Sequence, residues 1–182
     1  MKIEEYRELA QKLLFNPLEE KGFQMKGDHI YLNENGNCLA LLRVKDKWSN
    51  ITQQVKYLLA VRQDFLPDLE GREVTEFVEH PALYPFKANP LKLGDFQKGL
   101  FAKKISYKYQ SCNLGHYDTV DINYGEEDPT GILKKIASEI GTKGVEWFHY
   151  LTPSIAAVQI RKYGNKEYIE QIWDRAYAKH GF

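Results

Sequence analysis

The side chains best suited to chemistry gather late in the chain. His116 and Asp118 stand two apart, so on a strand they share a face. A histidine beside a carboxylate can act as an oriented base or help hold a divalent ion, and Asp121, Glu126, Glu127 and Asp128 follow closely. Glu126, Glu127 and Asp128 also have a plainer role. They precede a helix start, where unpaired N–H groups and the helix dipole stabilise carboxylates, and their spacing is not that of a metal-ligand set. Cys112 and His116 form a Cys-x-x-x-His pair that could combine a nucleophile with its base. Nothing nearby orients the histidine, and an ordinary turn cysteine explains it as well. Lys98, Lys103, Lys104 and Lys108 lie near Tyr107 and Tyr109, which suggests a stacking platform for nucleic acid. Strand alternation sends these lysines and tyrosines to opposite faces, so a solvated sheet edge is the simpler account. His80, His149 and His180 show no pairing by spacing, and His29 is expected on a strand surface. Phosphate-binding loops, dinucleotide fingerprints, nucleophile elbows and HExxH helices are all missing. His116, Asp118 and Cys112 are therefore weak catalytic candidates, and no metal or cofactor is expected.

The composition limits the classes of function. The 182 residues are 43% hydrophobic and 27% charged, as expected of one globular domain rather than a disordered chain. Lys plus Arg equals Asp plus Glu, 25 against 25, which argues against bulk affinity for nucleic acid or anionic lipid. The two cysteines, Cys38 and Cys112, are far apart, which fits a reducing, cytoplasmic compartment. The opening MKIEEYRELAQ lacks the apolar stretch of a secretory leader, and no apolar run approaches the ~20 residues of a membrane span. The chain holds 12 Tyr, 9 Phe and 3 Trp, suited to sheet faces and core or to an aromatic recognition surface.

Periodicity predicts the elements that position these residues. Ile3, Tyr6, Leu9, Ala10, Leu13 and Leu14 recur at helical spacing, with a break expected at Pro17 and an end at Gly22. Strands follow around Phe23–Met25 and over residues 29–33, then Asn35-Gly36 signals a type I′ hairpin. Residues 38–44 are nearly all apolar, as in a central strand, and residues 51–61 resume an extended pattern after a polar turn around Trp48. Residues 63–100, with Pro67, Pro81, Pro85, Pro90 and scattered aromatics, read as an irregular insertion, functional or pinned by its own rings. A second hairpin is expected, with Ile105 opposite Ile122, Tyr107 opposite Val120 and Tyr109 opposite Asp118, which would put Asp118 on the apolar face.

Helices are expected thereafter. One starts at Asp128-Pro129 and ends at Gly141; a short turn carries Val145, Trp147 and Phe148; another runs from Thr152-Pro153 to Gly164. The last is capped by Asn165, with Tyr168, Ile169, Ile172, Trp173, Ala176 and Tyr177 inward. Trp147 and Trp173 are expected in the core and Trp48 outside it. Grouped strands with helices at both ends predict an α+β fold, an antiparallel sheet with an N-terminal helix and a C-terminal helical cluster packed on it.

Several segments in order resemble a known family: the opening helix leading into Pro17-Leu18-Glu19-Glu20-Lys21-Gly22-Phe23, the strand His29-Ile30-Tyr31-Leu32, then Arg43-Val44-Lys45-Asp46-Lys47-Trp48-Ser49, and late in the chain Gly144-Val145-Glu146-Trp147-Phe148. This order is similar to that of the bacterial family called domain of unknown function 4304. The resemblance implies no catalytic residues. Domains of this general type look like immunity proteins, which bind and block a toxin.

The expectation is thus a non-catalytic binding protein of the immunity or inhibitor kind, contacting a toxin-like protein partner through Lys47, Trp48, Phe65, Tyr84 and Phe86. One alternative is a hydrolytic or metal-dependent enzyme centred on His116 and Asp118. Another is a small-ligand module with a pocket between the sheet and the C-terminal helices.

Overall fold

The computed structural model of the protein describes residues 1–45, 52–93 and 117–182. The chain opens on helix α1 (Ile3–Ala10), continues through a π-helical turn (Gln11–Phe15) and ends as α2 (Asn16–Glu19). Pro17 does not break this helix. The Asn16 N–H reaches back to the Gln11 carbonyl, and the widened turn receives a residue that has no N–H and whose ring would crowd an ordinary α-turn. Gly22, at φ 91°, closes the helix. The Phe23 N–H bonds to the Leu18 carbonyl at 3.2 Å and the Gly22 N–H to the Glu19 carbonyl at 2.9 Å, a Schellman motif.

Strands β1 (Gln24–Lys26), β2 (His29–Glu34), β3 (Asn37–Val44) and β4 (Gln54–Gln63) follow as an antiparallel meander. Asn35 and Gly36 both have positive φ, 51° and 76°, which sets the tight turn between β2 and β3. β3 occupies one edge of β4. The other edge is shared end to end by β5 (Phe86–Ala88), opposite Leu59–Val61, and β6 (Val120–Asn123), opposite Gln54–Tyr57. Among the described residues every strand pairing is antiparallel, and the α+β class follows. The expected strand over residues 104–109 and its register lie outside the described residues.

The C-terminal helices are α3 (Thr130–Glu139), a π-helical turn (Ile140–Gly144), α4 (Val145–Tyr150), α5 (Pro153–Tyr163) and α6 (Tyr168–Lys179). The Asp128 carboxylate accepts the Thr130 N–H at 3.0 Å, as expected of a cap. Gly141 does not end the helix, which runs on into α4. Both glycines of the π-helical turn are approached closely instead: a Cβ on Gly141 would lie 2.9 Å from the Lys21 side chain, and one on Gly144 3.3 Å from Leu59 Cδ2. Thr152 caps α5 through the Ile155 N–H. The last helix starts later than Asn165 suggests, with the Glu170 carboxylate taking the Glu167 N–H at 3.0 Å. Tyr168 therefore falls on the outer side of the first turn and is 67% exposed, not inward.

The two faces of the sheet are covered differently. On one, Leu39, Leu41, Val55, Tyr57, Leu59 and Val61 join Leu14, Leu18, Ile136, Trp147, Phe148, Trp173 and Tyr177 in the main core. On the other, Cys38, Ala40, Leu42 and Ala60 meet Val74, Phe77, Val78 and Tyr84 from an irregular arm spanning residues 64–85. The arm is pinned by its own rings. Phe77 stacks on Tyr31 with centroids 4.4 Å apart, and the Tyr84 hydroxyl donates to the Val78 carbonyl at 2.7 Å. Ala40 and Ala60 are cross-strand partners, and their small side chains leave depth for Tyr84.

Candidate functional site

Strand register builds the floor of a cavity beneath the arm. Asn33 pairs with Cys38, and Cys38 with Arg62. By period-two alternation these three share the face of Tyr31, Ala40 and Ala60, one row nearer the β2–β3 turn. Residues 73–78 of the arm cross over them, and Asp64, Phe65 and Tyr84 complete the walls around a volume of about 460 Å³. That is within the size range of small-molecule sites.

Arg62 dominates the electrostatics. It is 3% exposed. Its Nη2 donates to the Leu66 carbonyl and its Nε to the Gln63 carbonyl at 3.5 Å. Nη1 has no hydrogen-bond partner among the described residues. The guanidinium carbon stands 6.0 Å from the centre of the Tyr84 ring. Burial pulls the guanidinium below its ordinary value, although a guanidinium remains charged in a protein. Asp64 lines the same cavity; burial pushes its carboxyl up, against the pull of Arg62. The Cys38 thiol is 5% exposed and is pushed up to about 12 by burial, so it stays protonated near neutrality and is no nucleophile.

A smaller cavity of about 190 Å³ lies on the other side of the sheet, lined in part by Tyr6, Arg7, Asp28, Arg43 and Tyr57. Here Arg43 is paired with a carboxylate. Arg43 Nη1 donates to Asp28 at 2.6 Å. The Tyr6 hydroxyl donates to Tyr57 at 3.4 Å, and Tyr6 stacks on Tyr124. Burial pushes the Tyr57 hydroxyl up to about 12.

The residues singled out from sequence fare unevenly. Lys47, Trp48, Cys112 and His116 lie outside the described residues, as does the Lys98–Lys108 run. Asp118 is not on an apolar face. It precedes β6 with its side chain about half exposed, held by Lys92 Nζ at 2.9 Å and by Asn89 Nδ2 at 3.1 Å. Burial acts to raise its carboxyl, but the hydrogen bonds from Lys92 and Asn89 outweigh it and leave the group below the usual carboxylate range. Tyr84 and Phe86 are 0% and 3% exposed, so neither ring is presented on the outer surface. Tyr84, just before β5, packs on the arm side of the sheet at the cavity wall, and Phe86, the first residue of β5, packs into the main core on the other side. Phe65 is half-buried. It lines the cavity and stacks on His180 with centroids 4.3 Å apart. Among the described residues no group of three or more His, Cys, Asp or Glu could hold a metal ion.

Sequence reasoning missed Arg62 and misplaced His29. His29 is buried, not on a strand surface. Its Nδ1 accepts the Arg43 N–H at 3.0 Å and its Nε2 lies 3.8 Å from Glu79. His149 also pairs, with Glu34 at 2.8 Å, across a sequence separation that spacing could not suggest. Arg62 did leave a signal. It continues the Leu58, Ala60 alternation of a strand buried on both faces, so it had to point inward. The chain matches no family model, no curated protein and no solved structure.

Proposed function

We propose that the protein is a bacterial, cytoplasmic binding protein without catalytic chemistry, which recognises a basic protein partner in the manner of an immunity or inhibitor protein. The observation that supports this reading is the charge of the arm. Residues 64–79 contain Asp64, Asp68, Glu70, Glu73, Glu76 and Glu79 against Arg72 alone, in a chain whose overall charge is zero. Arg72 is occupied by Asp68 and Glu70 at 2.9 and 2.8 Å. Asp64, Glu70, Glu73, Glu76 and Glu79 are all exposed. A negative surface of this kind accelerates encounter with a positive one and fixes its register. Among the described residues no helix is long and apolar enough to cross a membrane. The order of motifs similar to domain of unknown function 4304 belongs to the same proposal.

The test is partner capture with a charge-reversed control. A partner identified by cross-linking to the wild-type chain is purified, and its Kd is measured with wild type and with Glu70→Lys/Glu73→Lys/Glu76→Lys at low and high salt. The reading expects a stoichiometric complex weakened by salt and by charge reversal. Equal affinity for both chains, or no partner that binds once purified, sinks it.

A further inference from the structure

We infer that the cavity beneath the arm is a binding site for a zwitterion, an α-amino acid with an apolar side chain. Three kinds of surface meet there. At the floor is Arg62, almost wholly buried, with Nη1 unpartnered among the described residues. No ion pair joins it to Asp64, although both line the cavity. A buried guanidinium whose charge is not met at short range is costly, and a carboxylate is the group its planar fork binds best.

Beside it stand carboxylates: Asp64, with Glu73 and Glu76 further out. They disfavour a simple anion and supply a partner for an ammonium. Phe65, Val74 and Phe77 furnish the apolar wall. A simple cation is opposed by Arg62, a simple anion by three carboxylates, and an apolar molecule leaves Nη1 bare. An α-amino acid answers all three. Its carboxylate meets Arg62, its ammonium meets Asp64, and its side chain lies against Val74 and Phe77. The volume of about 460 Å³ accommodates it. This site does not depend on a protein partner.

The experiment uses the full chain and calorimetry with the L-amino acids, with L-phenylalanine as first probe. Phenethylamine lacks the carboxylate and 3-phenylpropanoate lacks the ammonium. Binding of an apolar L-amino acid is expected, with both halves weaker by roughly tenfold to a hundredfold, since each loses a charge-assisted contact. Asp64→Asn alters an exposed side chain and should leave the fold intact while weakening binding by a similar factor. Arg62→Lys should abolish binding, with circular dichroism reporting whether it folds. If it does not fold, the two half-molecules and Asp64→Asn still decide. The inference is overturned if no L-amino acid binds at millimolar concentration, if either half-molecule binds as well as the zwitterion, or if Asp64→Asn leaves affinity unchanged.

Discussion

One sheet serves two unlike faces. Against the helices it presents Leu39, Leu41, Leu59 and Val61 to large rings and aliphatics. Against the arm it presents Cys38, Ala40 and Ala60, and the row ends in a buried arginine. The helical face is covered by elements whose backbones satisfy themselves, so it can be built from apolar bulk. The arm is irregular, and its carbonyls and hydroxyls must find individual partners: Arg62 serves Leu66, Tyr84 serves Val78, and Lys87 serves the Tyr84 carbonyl. Apolar bulk therefore concentrates on the first face, and individually partnered polar groups on the second.

The comparison breaks most visibly at Trp173. It is 0% exposed in the helical core, and Trp173→Ala should cost about 3–5 kcal/mol through lost transfer energy and a residual cavity. Denaturant unfolding measures this, with loss expected everywhere at once. Tyr84→Phe should behave differently. It removes the donor to the Val78 carbonyl and leaves a buried acceptor unpaired, at a cost of about 1–2 kcal/mol. Hydrogen exchange should quicken in residues 72–80 while Leu39–Leu42 stay protected, as for a locally opening unit. Uniform acceleration across both faces would show that the arm is no separate unit.

The same contrast governs what the sequence made legible. Local signals succeeded: Asn35-Gly36 for the hairpin, the apolar run of β3 for a central strand, and Thr152-Pro153 for a helix start. Trp173 was readable as core because a helical stripe carries it, and Trp147 because it stands in a short apolar segment with Val145 and Phe148. Punctuation by Pro17 and Gly141 misled, because π-helical turns absorb the one and close packing against Lys21 explains the other. The arm's covering of the second face was not legible, since it depends on pairings such as Phe77 on Tyr31 that no periodicity announces. The cavity of about 460 Å³ lies on the arm side of the sheet, where no sequence signal pointed to one.

His29 sharpens the comparison through pH. It lies on β2 against the arm, facing Glu79 from the arm, with Asp28, Arg43 and Lys45 also acting on it. Burial is the largest influence and lowers its pKa below the ordinary 6.5. The folded state thus resists protonation more than the unfolded state does. Its contribution is fully present above the unfolded value and is lost as pH falls through the folded one. His29→Gln should flatten the decline in stability below neutrality relative to wild type. An unchanged slope would remove His29 as its source.

The smallest expected effect is at Asp118, where it separates the two functional readings. Its ion pair with Lys92 is solvent-exposed, the two side chains being 52% and 67% accessible. Exposed pairs are worth under about 1 kcal/mol after screening. Asp118→Asn keeps the shape, can still accept from Lys92 and Asn89, and leaves the core untouched. Denaturant midpoints should shift little, and a partner binding through the acidic arm should bind as before. An enzyme using Asp118 as base or ligand predicts the same small shift in midpoint but a lost turnover or lost metal binding. Measuring the midpoint and either activity on the same variant distinguishes them, because a structural ion pair cannot lower catalysis while leaving stability and partner affinity intact. Loss of activity with stability retained would replace the binding reading with the enzyme centred on His116 and Asp118.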